Sequence, residues 1–201
     1  MTMLDNVSRE TLDKLEHYAD LLAKWNPRIN IVAKSTIGEA WTRHIVDSAQ
    51  VFAASDKQDG QWLDMGSGGG FPGLVCAIIA AEKSPDLKFT LVDSDQRKCA
   101  FLRNVARETG TQVTVIAKRL EQIDPVNADV ISARALASLS DLLPFAKRHG
   151  NQAATVLFQK GRNWQAEVAE ASRDWRFQHE VLPSTTDPEA VILRIKELEH
   201  V

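Results

Sequence analysis

Between Asp64 and Gly73 the chain reads Asp-Met-Gly-Ser-Gly-Gly-Gly-Phe-Pro-Gly, a carboxylate followed by glycines at Gly66, Gly68, Gly69 and Gly70. Glycine reaches positive φ without a Cβ penalty and lets a ligand approach bare backbone, which suits a tight turn around a nucleotide-type ligand. Dinucleotide-binding folds, methyltransferases and purely structural turns share such loops, so the loop alone does not separate them. A second carboxylate, Asp93, closes the apolar run that begins at Lys88. One β-α-β unit beyond the glycines, it can accept hydrogen bonds from both hydroxyls of a ribose; it can also cap a helix starting near Gln96, a role open equally to Asp95. Further polar groups end apolar runs at Lys118-Arg119-Leu120-Glu121, at Arg134 and at Lys160. Arg119 and Arg134 either face a ligand or pair with Glu121 or Asp64. Arg43, His44 and Asp47 fall within about one helical turn and form either a polar cluster or a solvated face.

Elements must carry these groups. Ser8 suits an N-cap, and Leu12, Leu15, Ala19, Leu22 and Trp25 recur at helical spacing up to Pro27, which is expected to end the helix. A second helix is expected from Ile37 to Ala54, apolar at Trp41, Ile45, Val46, Ala49 and Phe52. Both precede the first strand, so residues 1–55 read as an N-terminal helical extension packed on a core unit of residues 56–201. That unit alternates: strand Trp62 to Met65, the glycine loop, apolar helix Leu74 to Ala81, strand Lys88 to Val92, and helix Gln96 to Thr109 closed by Gly110. Strand Thr111 to Ala117, strand Asp129 to Ser132, helix Ser138 to His149, strand Thr155 to Gln159 and helix Trp164 to Arg173 follow. The last β-like runs, Phe177 to Leu182 and Val191 to Lys196, are joined by a loop too short for a helical crossover, which predicts an antiparallel hairpin. The chemistry-bearing residues thus collect at the carboxyl edge of a parallel sheet, where open α/β folds bind ligands.

Composition narrows the classes further. At 201 residues and 44% hydrophobic content, the chain is long enough for one well-buried core and short for two. No apolar run approaches the length of a membrane span, and Met1 to Asp5 lacks the pattern of a secretory leader, so a cytoplasmic protein is expected. Cys76 and Cys99 sit in predicted helices at no metal-binding spacing, which points to buried reduced thiols and no metal site. The net charge of −3 excludes a globally basic nucleic-acid binder. An RNA partner would need a local basic face, for which Lys34, Arg43, His44, Arg134, Lys147, Arg148, Lys160 and Arg162 are candidates. No long heptad calls for more than a monomer. About 40 residues remain after the fifth unit, too few for the second half of a dinucleotide dehydrogenase. Five β/α units ending in a hairpin are the architecture of a Rossmann-like α/β S-adenosylmethionine-dependent methyltransferase: a mostly parallel seven-stranded sheet, here with an N-terminal helical cap.

The residues also carry a family resemblance. Leu63 to Gly73, Leu91-Val92-Asp93-Ser94 with Arg97-Lys98 and Phe101-Leu102, Arg119-Leu120-Glu121, and Ile131-Ser132-Ala133-Arg134-Ala135 are similar to segments of the RsmG (GidB, glucose-inhibited division protein B) family. Trp25 to Asn30, His44 to Ser48 and Lys160-Gly161 extend the match to nearly the whole chain. Members of that family methylate N7 of a guanine in bacterial 16S ribosomal RNA. The resemblance implies an S-adenosylmethionine pocket lined by Gly66, Ser67, Gly68, Gly70 and Phe71, with S-adenosylhomocysteine as product. It further implies Asp93 near the ribose, Leu120 and Glu121 near the adenine, and Arg134 at the reactive end. The implied partner is 16S rRNA or the 30S subunit, with Arg134, Lys160 and His44 as candidates for orienting the substrate and no residue assigned to acid–base catalysis. Guanine N7 bears an in-plane lone pair and no proton, so its attack on a sulfonium methyl needs no general base. Consistent with that, the chain lacks both the Asn/Asp-Pro-Pro-Tyr/Phe stretch of exocyclic-amine methyltransferases and a Pro-Cys nucleophile. A methyltransferase for another RNA or a small molecule, or a non-enzymatic nucleotide-binding module, would share the glycine loop.

Overall fold

The computed structural model describes residues 3–201; Met1 and Thr2, at the start of the expected N-terminal extension and of the stretch weighed as a leader, lie outside the described residues. Helix α1 (Arg9–Ile29) is capped by Ser8, whose Oγ accepts from the Thr11 amide. Pro27 does not end it as expected: the proline lies inside the helix, which runs on to Asn30 at φ 55°. A proline removes only one backbone donor, and the Asn26 side chain holds the chain beyond the helix through Val32 N (2.8 Å) and Val32 O (3.1 Å). The single helix expected from Ile37 to Ala54 is likewise replaced by three pieces. A 3₁₀ stretch, Lys34–Glu39, leads to a π-helical turn, Trp41–Val46, and then to α2 (Asp47–Ala53). Single π turns frequently mark functional positions, and this one contains His44.

The remaining elements are β1 (Asp59–Met65), α3 (Gly73–Lys83), β2 (Asp86–Asp93), α4 (Gln96–Thr109), β3 (Val113–Ala117), β4 (Ala128–Arg134), α5 (Leu139–His149), β5 (Gly150–Lys160), α6 (Trp164–Ala171), β6 (Trp175–Pro183) and β7 (Val191–His200). They form a seven-stranded sheet in the order β3-β2-β1-β4-β5-β7-β6. β1 to β5 are mutually parallel, and β7 inserts antiparallel between β5 and β6. The order reverses beside β1, between β2 and β4, which places the crevice of such folds at the carboxyl ends of β1, β2 and β4. Among the described residues no helix is long and apolar enough to cross a membrane.

Strand periodicity decides which group faces which layer. On β1, Trp62 joins the core under α1 to α4, whereas Leu63 and Met65 join the core under α5 and α6. On β4, Val130 belongs to the first layer and Ile131 and Ala133 to the second, so Ser132 and Arg134 fall on the first. On β5, Leu157 shares the first layer with Gln159, while Phe158 shares the second with Lys160. Arg134 and Gln159 are direct partners in register, as are Asp64 and Ser132. Leu15, Tyr18 and Leu22 of α1 lie in one continuous core with Leu74 and Ile78 of α3 and Phe101 and Leu102 of α4.

Candidate active site

The glycine loop turns through left-handed backbone at Gly66 (φ 63°) and Gly70 (φ 92°), where a side chain would be strained. Gly70 also leaves no room: a Cβ there would strike the Tyr18 hydroxyl and come within 2.9 Å of Leu102 and Leu74. The loop is tied to the next strand. Gly68 N–H donates to Asp93 Oδ2 at 2.8 Å, and the buried Ser67 donates its amide to Val92 O at 2.9 Å and its hydroxyl to Asp64 O at 3.0 Å. Asp93 Oδ1 accepts from Asp95 N (2.8 Å), while Asp95 caps α4 by accepting from Arg97 N and Lys98 N. Of the two roles that sequence left open, Asp95 thus takes the helix cap, and each Asp93 oxygen keeps a second lone-pair direction for a ligand hydroxyl.

Beside this loop is a cleft of about 190 Å³. Asp93, Ser94, Arg119 and Glu121 give it a polar rim; Val92, Leu120, Leu142 and Phe145 give it apolar walls. The chemistry matches a nucleoside, with a carboxylate for the ribose diol and aliphatic and aromatic faces for a flat base. The fit extends to S-adenosylmethionine on one condition. A Cβ at Gly66 would meet Leu136 Cδ1 at 2.5 Å, so the Leu136 side chain roofs that glycine and must move for a ligand to reach its backbone. Leu136 is 41% exposed, an unusual state for a leucine in this chain and one that leaves it free to swing.

Phe71 occupies a different place from the cleft-lining glycine. It is 4% exposed and sandwiched: Tyr18 stacks on it at 5.3 Å between centroids and His44 at 4.9 Å. The Tyr18 hydroxyl donates to Gly69 O, and the Arg134 guanidinium lies 4.9 Å from the Phe71 ring centre, a cation–π contact. This ring stack joins α1, the glycine loop, the π turn and the end of β4. Arg134 pairs with neither Asp64 nor Glu121; it donates to Arg43 O (3.1 Å), Asp47 Oδ2 (3.3 Å) and His44 Nδ1 (3.2 Å). A guanidinium only donates, so Nδ1 is the acceptor and the His44 proton resides on Nε2, which faces Thr36 Oγ at 3.0 Å. Thr36 in turn donates to Ala33 O at 2.8 Å. Burial and the adjacent Arg134 charge push the His44 pKa down from 6.5 to about 4, in keeping with a neutral ring. Arg43 itself turns outward toward Glu39.

Beneath the loop, Trp62 Nε1 donates to Ser132 Oγ (2.9 Å), and Ser132 donates to Asp64 Oδ1 (2.6 Å). All three residues are fully buried, and Asp64 Oδ2 has no partner. Burial raises the Asp64 pKa from 3.8 to about 6, against the lowering effect of its Ser132 hydrogen bond.

A second cavity of about 440 Å³ opens between the π turn, the ends of β4 and β5 and the β6–β7 loop. His44, Asp47, Arg134, Gln159 and Lys160 border it. Asp47 fastens its walls, accepting from Gln159 Nε2 (2.6 Å), Thr186 Oγ (2.7 Å) and Arg134. The three substrate-orienting candidates thus line one cavity, but Lys160 enters it from the opposite face of the sheet to Arg134, with its ammonium on Ala137 O and Glu167. Residues 135–137 stand between the two cavities: Ala137 borders both, Leu136 the cleft and Ala135 the second cavity. Sequence reasoning did not single out Tyr18, Gln159, Leu136 or Glu167. Gln159 carried a usable signal, since it lies one residue before Lys160 on a strand and so faces the Arg134 side.

Comparison with known proteins adds a family to this geometry. A family model described as GidB, rRNA small subunit methyltransferase G, matches residues 11–192. The "Ribosomal RNA small subunit methyltransferase G" of Ruegeria sp. (strain TM1040) is 55% identical over 196 residues, covering 98% of this chain and 95% of that protein. That of Cereibacter sphaeroides (strain ATCC 17025) is 54% identical, covering 98% of this chain and 94% of the relative. Solved structures agree on the fold. A SAM-dependent methyltransferase from Aquifex aeolicus superposes with a TM-score of 0.60 at 15% identity, over 78% of this chain and 91% of that one. TYW2 of M. jannaschii, solved in complex with AdoMet, gives 0.58 at 10% identity, over 85% and 78% respectively. With residues 11–192 matched by the family model and relatives above 50% identity over nearly the whole chain, this protein belongs to the GidB family of rRNA small subunit methyltransferase G, an S-adenosylmethionine-dependent methyltransferase family.

Proposed function

We propose that this protein transfers a methyl group from S-adenosylmethionine to N7 of a guanine in 16S rRNA, with the nucleoside end of the cofactor in the Asp93 cleft and the target base in the second cavity. The observation that carries the reading is the arrangement of two cavities on either side of residues 135–137, the cleft at the carboxyl ends of β1 and β2 and the second cavity at those of β4 and β5, in a chain of this family. Gly66, Ser67, Gly68 and Gly70 would cradle the cofactor, Asp93 would accept from its ribose, and Leu120 and Glu121 would border its adenine. Phe71 would act from behind, setting the loop through its ring stack rather than by forming the cleft wall. The bound cofactor supplies an activated methyl on a sulfonium. With the donor held there, the N7 lone pair would take the methyl as the C–S electrons stayed on sulfur, and positive charge would pass to the purine. No proton moves at N7, so the protein's task is alignment and exclusion of water. Neutral His44 and the Asp47 carboxylate are suited to a base that gains positive charge.

N7 lies on the major-groove edge, and the major groove of A-form RNA is too deep and narrow for side chains to read. The guanine would therefore come from an unpaired segment or be turned out of its stack. Lys34, Arg43 and Arg162 are candidates to meet the phosphates, as free rRNA or in the 30S subunit; Lys147 and Arg148, expected on the same face, lie instead in the last turn of α5 beside the amino end of β5, where they donate to Leu198 O and Ile123 O. Transfer of labelled methyl to purified 16S rRNA, 30S and 50S particles, followed by mapping of the base, tests this directly. Label confined to guanine N7 in small-subunit RNA is expected; label in 50S RNA, or on an exocyclic amine, would refute it. Activity that did not fall with rising salt would remove the phosphate-binding face.

A further inference from the structure

Lys160, 7% exposed, ends β5 facing the α5–α6 layer. Its ammonium donates to Ala137 O at 2.8 Å and to Glu167 Oε2 at 2.8 Å. The same Glu167 oxygen accepts the Leu139 amide at 2.7 Å. These bonds fasten β5 and α6 to the backbone on either side of Ser138, immediately after the wall between the two cavities. The wall needs such support. Ala135 sits at φ 50°, where a residue with a Cβ is less stable by on the order of 1–2 kcal/mol than in right-handed backbone, and Leu136 is exposed above Gly66.

We propose that Glu167 is a positioning residue for methyl transfer: together with Lys160 it fixes residues 135–137, and so sets the approach of donor and acceptor across the wall. The inference rests on the reading that the cofactor and the target base meet there. It also gives Lys160 a different task from touching RNA, because its ammonium is committed to the wall and to Glu167. A misplacement of about 1 Å in an aligned transfer lowers rate about 100-fold, which is the scale on which loss of the fastening should register.

The test compares Glu167→Ala, Glu167→Gln, Lys160→Met and the double variant Glu167→Ala/Lys160→Met with the parent protein, by hydrogen exchange of the 135–139 amides and by steady-state methyl transfer to 16S rRNA or 30S particles. Exchange at 135–139 should quicken in every variant, and kcat should fall about 10- to 100-fold while KM for RNA stays within about threefold. Glu167→Gln, which keeps an acceptor for the Leu139 amide, should recover part of the loss, and the double variant should be no worse than the worse single one. Unchanged exchange in Glu167→Ala, or quickened exchange with parental kcat, would overturn the proposal. So would a Lys160→Met defect confined to KM with a shallower salt dependence, which would mean direct RNA contact. If the parent protein itself methylates no ribosomal RNA, that failure belongs to the proposed function, and the exchange experiment, which needs no substrate, still decides whether Glu167 holds the wall.

Discussion

Asp64→Asn and His44→Gln should tilt the pH dependence of stability in opposite directions. Burial raises the Asp64 carboxyl from 3.8 to about 6. At about 1.4 kcal/mol per pH unit, that separation is worth about 3 kcal/mol. Folded Asp64 keeps its proton after the unfolded chain has released it, so its contribution is present below the unfolded value and is lost as pH rises through 6. His44 runs the other way, because burial lowers it from 6.5 to about 4. Its contribution is present above 6.5 and is lost as pH falls through 4. Since His44 borders the second cavity, which is open to solvent, screening trims its effect to about 2 kcal/mol. The two slopes oppose each other over nearly the same interval, so the parent protein should show little net dependence from this pair. Urea unfolding followed by tryptophan fluorescence, between about pH 4 and pH 7, exposes each in turn. Relative to the parent, Asp64→Asn should gain about 3 kcal/mol across that interval and His44→Gln should lose about 2 kcal/mol. A variant whose stability curve stayed parallel to the parent's would refute the assignment of that group.

Three further outcomes follow from single contacts. Asp93→Ala removes the acceptor for Gly68 N and Asp95 N; at about 1.5–3 kcal/mol for a charge-assisted bond, S-adenosylmethionine affinity by calorimetry should drop about 10- to 100-fold. Tyr18→Phe leaves the buried Gly69 carbonyl without its hydroxyl partner and should cost about 1–3 kcal/mol in chemical denaturation. Gly66→Val places a branched side chain at φ 63° and against Leu136; cofactor binding should fall below detection while the far-ultraviolet circular dichroism is retained, and retained affinity would remove Gly66 from the pocket.

Local rules accounted for much of the fold. Helix α4 follows its predicted limits from Gln96 to Thr109 because Asp95 and Gly110 are its own cap residues, read within one turn of each end. Strand limits ran wider than expected, since β1 begins at Asp59 and β5 at Gly150, where pairing with neighbours extends polar segments that carry no β pattern. Pro27 misled because the stabilising contact is the Asn26 side chain, not backbone propensity. At the site, the glycines and Asp93 were legible as a short-range loop pattern. The partner of Arg134 was not, since Asp47 is distant by 87 residues and competes with nearer carboxylates in the sequence. The ring contacts of Phe71 with Tyr18 and His44 were not legible, because Tyr18 is 53 and His44 27 residues away. Lys160 and Arg134 are both candidates for orienting the substrate in the sequence, and only the alternation of β4 and β5 shows that they stand on opposite layers.

The bonds of Asp47 have a consequence for the order in which the chain is made. Every residue bordering the Asp93 cleft lies between Gly66 and Phe145, so that half of the site can take shape while later segments are still being synthesised. The second cavity cannot: it draws on Thr36 at one end and Ile192 at the other, and Asp47 meets Thr186 only across 139 residues. A ribosome making this protein completes the segments of the Asp93 cleft well before those of the second cavity, whose walls include Val191 and Ile192 of β7, the strand between β5 and β6.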